Sequence, residues 1–305
     1  MERIVERRMP DGSISRVQPF HMSFKGLEKA VLCRDDEDYG VMVKYIAVCS
    51  LRKNVIVVIY AVVSNHAHAA ILAKKQQDAD SFAQELKRVY SMWFSRKYRE
   101  NSILRGTDAK ALPLENDRHV RNALAYVPRN AQDNGYAPHD YKWSGFRAMF
   151  KNGSKPSGFR NVAFMTKRER ESIMHTGDSL KKVSWTLDDA GDIVPESFCD
   201  TGYLEQVFNH DSSFFYKAIG SVNSAEMTEL LVDAPRRMLP DSEFYKIAAD
   251  TCATWFSQEL SSVPKSKKCR LIPFLWRTRK TTVAQLARVF GMGREEVCEV
   301  LGLKR

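Results

Sequence analysis

Two histidines one residue apart, His66 and His68, lie in the segment IYAVVSNHAHAAILAKK, residues 59–75. Side chains alternate faces along a strand, so both imidazoles point the same way, about 7 Å apart, with Ala67 between them on the core side. Imidazole is a good ligand at neutral pH, and a pair on one rigid surface can share a divalent cation. Further on, Tyr126 and Asn130 stand four residues apart and share a face if one helix carries both. A phenol near such an ion suggests nucleophilic attack on a metal-polarised phosphodiester. The phenol titrates near pH ~10, so it needs a base, a cation or a metal that eases leaving-group departure. Asn130 could supply an amide oxygen as third ligand. Taken alone, the same residues also fit two half-exposed histidines without a metal and a half-buried tyrosine in a helix.

The elements that must position these groups follow from the hydrophobic pattern. Val17 to Phe24 reads as a first strand, with Pro19 placing its beginning at an edge. Asp35 or Asp36 caps a helix to about Ser50, with Val41, Met42, Tyr45 and Ile46 on one stripe. An apolar strand from Val55 to Val63 turns at Ser64-Asn65 into the strand that bears the histidines. Asp80 or Ser81 caps a longer helix to about Tyr98, whose apolar stripe includes Phe82, Leu86, Trp93 and Phe94. Lys87, Arg88, Arg96 and Lys97 make the rest of that helix basic. A weak strand near Ala109 to Leu112 precedes a helix capped by Asn116 or Asp117. The order is the split β-α-β pattern of a ferredoxin-like antiparallel sheet with helices on one face, an α+β class with one extra helix.

The formal charge of +10 across 305 residues argues for a polyanionic partner such as nucleic acid. Six scattered cysteines with no Cys-x-x-Cys pair argue against a zinc ribbon or disulfide scaffold. No signal-like N-terminus and no membrane-length apolar run is present, so a cytoplasmic protein without membrane contact is expected. The run NGSKPSGF, residues 152–159, concentrates Gly, Ser and Pro and reads as a boundary. Beyond it, Thr166 to Glu169 forms a capping box and helical patterns recur, at about residues 203–208, 224–231 and 242–260. Residues 281–301 read as helix, glycine turn at Gly291, helix, a spacing similar to helix-turn-helix DNA readers. Arg277, Arg279, Lys280, Arg288 and Arg294 give that end a phosphate-seeking surface, while Glu295 and Glu299 repel each other on the second helix.

The segment AVVSNHAHAAILA resembles the signature hairpin of the HUH-type single-tyrosine transposases, in particular those associated with repetitive palindromes. Further stretches run in that family's order. FHMSFKG resembles its opening strand, LCRDDED the segment before its first helix, and LKRVYSMWF its basic aromatic helix. YVPRNA, beginning at Tyr126, resembles its Tyr-Ile-His-Leu-Asn-Pro, and DYKWSGFR, beginning at Asp140, its closing Trp-Ser box. The likeness covers roughly residues 17–150, and some longer relatives also end in a helix-turn-helix module. It implies that His66 and His68 ligate Mg²⁺ or Mn²⁺, with Asn130 a third ligand, and that Tyr126 becomes joined to the 5′ phosphate of cleaved single-stranded or hairpin DNA. Tyr90 matches a family tyrosine too, but its place in the apolar stripe reads as packing. Ser64 stands where relatives carry proline. Pro128 and Ala131 also depart from the pattern, and Pro128, lacking an amide hydrogen, makes a kink or early helix end an expectation.

Three regions are therefore expected: a nuclease domain over 1–152, a mostly helical connection over 160–263, and a basic DNA-binding region over 264–305. The expected activity is that of a metal-dependent single-strand DNA endonuclease and strand transferase. The alternatives are a non-catalytic DNA-binding protein with a vestigial nuclease fold, and an RNA binder. A homodimer stays open, since some relatives pair one chain's tyrosine with the other chain's histidines while others act as monomers.

Overall fold

The computed structural model describes residues 3–24, 31–107, 109–133, 135–151, 160–222, 241–278 and 281–302. The chain is α+β and divides into two compact units, residues 1–232 and 233–305.

In the first unit, β2 (Ile14–Phe24) is the central strand. It pairs antiparallel with β4 (Ala67–Ala73) along one side. On its other side it pairs with β1 (Val5–Arg8) over its first half and β5 (Ala109–Pro113) over its second. The outer strand β3 (Ile56–Val62) forms the predicted hairpin with β4. With α1 (Asp36–Lys53) and α2 (Gln76–Tyr98) as the crossovers, this is the split β-α-β arrangement anticipated above. The N-terminal strand β1 was not anticipated; its four residues are too few to show an alternation.

Helices cover both faces of the sheet, not one. Phe20, Met22, Tyr60, Val62, Ala69 and Ile71 face α1 and α2 in one apolar core. Val17, Ile59, Ala61, Ala70 and Leu72 face the opposite way, against α3 (Asp117–Asp133) in a second core. A bulge between Val57 and Ile59 lets Val58 and Ile59 both serve this second core. The α3 stripe of Val120, Ala123, Leu124 and Val127 is fully buried there, which is what an amphipathic helix laid on a sheet requires.

Several caps explain the helix limits. Asp35 accepts the Asp38 amide at 3.0 Å and begins α1 as expected. The helix α2 begins before Asp80, because the Asp80 carboxylate accepts the Ala111 amide of β5 at 3.0 Å instead of capping. Pro128 lies inside α3, yet the helix runs on to Asp133. The Asn130 side-chain amide donates to the carbonyls of Tyr126 at 2.8 Å and Val127 at 3.3 Å, on either side of which the helix continues.

The Trp-Ser box closes the exposed edge of β3. Val62 donates its amide to Trp143 O at 2.9 Å, Tyr141 Oη donates to Val62 O at 2.7 Å, and Ser144 Oγ donates to Tyr60 O at 3.1 Å. Covering an edge strand in this way removes a pairing surface that would otherwise invite other chains. A side chain at Gly145 would come within 3.3 Å of Tyr60, so this close approach requires glycine.

The Gly-Ser-Pro run does not mark the division between the units, which falls at 232/233. Instead, α5 (Thr201–Val207) and α6 (Ser212–Ser221) pack into the second core through Tyr203, Leu204, Phe208 and Phe215. Before them, α4 (Lys167–Met174) opens on the expected Thr166–Glu169 capping box, and β6 (Arg160–Asn161) pairs with β7 (Thr186–Leu187). The helix expected at 224–231 lies outside the described residues.

The second unit holds α7 (Asp241–Phe256), α8 (Lys265–Thr278), α9 (Val283–Phe290) and α10 (Arg294–Leu301) around a core of its own. Gly291, at φ 62°, ends α9 in the left-handed conformation and turns the chain toward α10. The predicted helix–glycine turn–helix is therefore present.

Candidate catalytic site

The register of the sheet brings the chemistry together. Ser23 of β2 lies opposite His68 of β4, and His21 opposite Ala70, so His21 and His68 share the α3 face on neighbouring strands. Ala61 lies opposite His68 on the other side, a small residue that leaves room for the imidazole. Above them, α3 places Tyr126 against both rings: its ring centroid is 5.3 Å from that of His68 and 6.3 Å from that of His21. One turn on, Asn130 reaches His66, the residue just before β4, with Oδ1 2.9 Å from His66 Nε2. His66 and His68 are edge to face at 4.8 Å between centroids. The four residues singled out in the sequence, His66, His68, Tyr126 and Asn130, thus meet within one chain.

His21 is the group that sequence reasoning missed. It is wholly buried, stacks on His68 at 5.1 Å, and its Nε2 is 3.1 Å from His68 Nδ1. Its signal was a polar residue in the middle of an apolar strand, on the same parity as Val17 and Ser23. Without the strand order nothing connected it to residue 68.

The cluster is largely closed to solvent. His68 is 3 % exposed, Asn130 3 % and Tyr126 5 %, while His66 is partly exposed. Burial, reinforced by the neighbouring His66 and His21, holds the pKa of His68 well below the ordinary histidine value. His68 is therefore neutral at pH 7 and keeps a lone pair on one ring nitrogen.

Around His66 the hydrogen-bond pattern is informative. Asn130 cannot turn its amide over without aiming its oxygen at the Tyr126 and Val127 carbonyls, so its Oδ1 is fixed toward His66. Asn65 Oδ1 lies 2.7 Å from the other ring nitrogen, Nδ1. A neutral imidazole has one N–H, and with Asn130 Oδ1 fixed as the acceptor at Nε2 that N–H donates to it, while the Asn65 amide can turn its N–H₂ toward Nδ1. The 2.9 Å separation of Nε2 and the Asn130 oxygen is that of an ordinary N–H···O hydrogen bond. Two imidazoles and an amide oxygen are donor types that a divalent cation takes, and His66, His68 and Asn130 would be the residues to hold one. Among the described residues no three His, Cys, Asp or Glu side chains converge as a ready cage, so water or substrate oxygens would complete the shell. His21, at Nδ1 of His68, would fix the tautomer of that ring.

The expected DNA-binding cations are placed as follows. Lys97 is wrapped by Asp35, Glu37 and Asp38 at 2.7–2.8 Å, Arg88 pairs with Glu85 at 2.7 Å, and Lys87 donates to the Arg105 and Thr107 carbonyls. Arg96 is exposed on α2. In the second unit Arg288 grips Asp241 through two nitrogens, at 2.6 and 3.0 Å, and Arg294 is exposed at the start of α10. Arg277 lies on α8, and Arg279 and Lys280 lie outside the described residues. Tyr90 packs as expected: it is fully buried and donates to Leu32 O at 2.8 Å.

No helix among the described residues is long and apolar enough to cross a membrane. Comparison with known protein families, with curated proteins and with solved structures finds no match to this chain.

Proposed function

We propose that the first unit is a metal-dependent, single-tyrosine nuclease and strand transferase acting on single-stranded or hairpin DNA. The observation that carries this reading is the convergence of His66 and His68 with Tyr126 and Asn130 of α3, His66 and Asn130 being in contact although 64 residues apart in sequence. Mg²⁺ or Mn²⁺ would be held by His66, His68 and Asn130, and would supply charge neutralisation at the phosphate. Tyr126 Oη attacks phosphorus and loses its proton as the bond to the 3′ oxygen breaks. The 3′ oxygen leaves as a hydroxyl, and the 5′ phosphate stays on the tyrosine, ready for the reverse attack by a second 3′ hydroxyl. Because Tyr126 is 5 % exposed, the reading requires the wall over the phenol to move when a strand binds. The basic composition and the helix–glycine turn–helix of the second unit support a DNA partner.

The same burial favours a second reading, a DNA-binding protein whose nuclease fold no longer cuts. Labelled hairpin DNA incubated with the protein and Mn²⁺, then run on a denaturing gel, separates the two. An adduct that Tyr126→Phe abolishes supports the enzyme. Tight binding without an adduct across a panel of hairpins favours the second reading.

A further inference from the structure

Beside the histidine-bearing turn lies a cavity of about 450 Å³, a size in the usual range for small-ligand sites. Its walls are aromatic. Tyr39 and Trp143 are stacked at 5.4 Å with their planes 13° apart, and Tyr136 leans on Tyr141 at 5.1 Å. The turn residue Ser64 forms part of the same lining, two residues before His66. Most of these rings are held in place: Trp143 is 8 % exposed, and the Tyr141 hydroxyl is fixed on Val62 O. Tyr136 is different, being 55 % exposed although it is a large ring at a cavity mouth. The carboxylates of Asp36 and Asp140 stand at the same cavity, both exposed.

We propose that this cavity receives one unpaired nucleobase of the bound strand, stacked on Tyr136, close to the phosphate presented to Tyr126. This rests on the nuclease reading above. The chemistry of the walls chooses the part of the nucleotide. The two carboxylates disfavour a phosphate and Lys142, the cation in the lining, is already paired with Asp192 at 2.7 Å, whereas a base has a π-face for Tyr136 and N–H groups for Asp36 or Asp140. The same carboxylates select among bases. Guanine, adenine and cytosine carry an exocyclic amine that donates to them; thymine carries carbonyl oxygens on both sides of its one N–H and is disfavoured. The site therefore discriminates at a single nucleotide, through stacking that any base satisfies and an amine that thymine lacks.

The test uses the full chain carrying Tyr126→Phe, so that cleavage does not interfere, and labelled single strands of dA, dC and dT followed by anisotropy. The amine-bearing strands are expected to bind more tightly than dT. Adding Tyr136→Ala, an exposed position whose loss leaves the fold intact, is expected to weaken dA and dC binding by about five-fold or more and to shrink their advantage over dT. Asp36→Asn with Asp140→Asn is expected to reduce that advantage while retaining the stacking contribution. Equal binding of the three strands by the parent protein, or unchanged binding in Tyr136→Ala, overturns the proposal. The adduct assay with unmodified Tyr126 keeps the two readings apart. An adduct alongside a Tyr136-independent base preference sinks the pocket alone, whereas a Tyr136-dependent preference without any adduct sinks the nuclease alone.

Discussion

Replacing Asn130 by aspartate isolates the ligand role of that side chain from its structural one. The two residues are nearly isosteric, but aspartate has no N–H. It can still face His66, and it loses the donations to Tyr126 O at 2.8 Å and Val127 O at 3.3 Å, setting a buried carboxylate oxygen against two carbonyls. Loss of one good hydrogen bond costs about 1 kcal/mol, and the unsatisfied buried acceptors add about 1–2 kcal/mol. For a unit of this size, a total near 2–3 kcal/mol lowers the unfolding midpoint by roughly 5–10 °C in chelator-treated protein. A divalent cation reverses the sign, because a carboxylate is a better ligand for it than an amide. Mn²⁺ at about a hundred times its dissociation constant adds about 2.7 kcal/mol, enough to restore the wild-type midpoint. Thermal melts with and without Mn²⁺, with Mn²⁺ binding followed by electron paramagnetic resonance, measure both effects. If Asn130→Asp melts like wild type without metal, the fixed amide orientation is mistaken. If it is destabilised and Mn²⁺ restores nothing, Asn130 is a structural residue and not a ligand.

Other outcomes follow from the same contacts. Lys97→Met is expected to cost roughly 3 kcal/mol, because it strands Asp38, whose side chain is fully buried, without its cation; chemical denaturation checks this. Its effect on DNA affinity, measured at a temperature where the variant is folded, should be smaller than that of Arg96→Ala, whose side chain is exposed. Hydrogen bonds from Arg88 and Arg52 hold Glu85 at about 2, below its ordinary value of 4.5. A carboxyl depressed by folding stabilises the native state above its unfolded value, and that contribution is lost as the pH falls from about 4.5 toward 2. Glu85→Gln should therefore flatten the acid limb of a stability–pH curve in that window, and an unchanged limb would refute the pairing. Gly291→Val should destabilise the second unit, since φ there is 62° and a β-branched residue is strained in that region; a lowered unfolding temperature in melts of the full chain would show it.

Much of the first unit was legible because its elements are long and periodic. The α1 stripe and its Asp35 cap, the hairpin turn at Ser64-Asn65 and the Asn116 cap of α3 all rest on local chemistry that sequence displays. What sequence could not display depends on strand order. His21 joins the site only because β2 lies next to β4, and α3 reaches the histidines only because it crosses to the opposite face from α1 and α2. The Gly-Ser-Pro run at 152–159 marked a break in regular structure, but the helices after it carry Tyr203, Leu204 and Phe215, which find their partners in the sheet unit and not in a separate core. The basic helix misled in a different way. Charge on a helix face reads as a surface for phosphate, yet Lys97 and Arg88 are met by carboxylates from α1 and from their own helix. Tyr126 and Asn130 were placed on one face across Pro128, and the helix does carry them together, running through the proline to Asp133.

The central claim is that the Tyr126 hydroxyl attacks a DNA phosphate beside the histidine cluster. Peptide mass spectrometry of the protein after reaction with hairpin DNA and Mn²⁺, followed by nuclease trimming, reads this at a single residue. A 5′-phosphonucleotide on the Tyr126 peptide, absent when Mn²⁺ is chelated or His68 is replaced by alanine, is the predicted result. Modification of a different tyrosine, or an unmodified Tyr126 peptide in protein shown to bind the same DNA, would contradict the account.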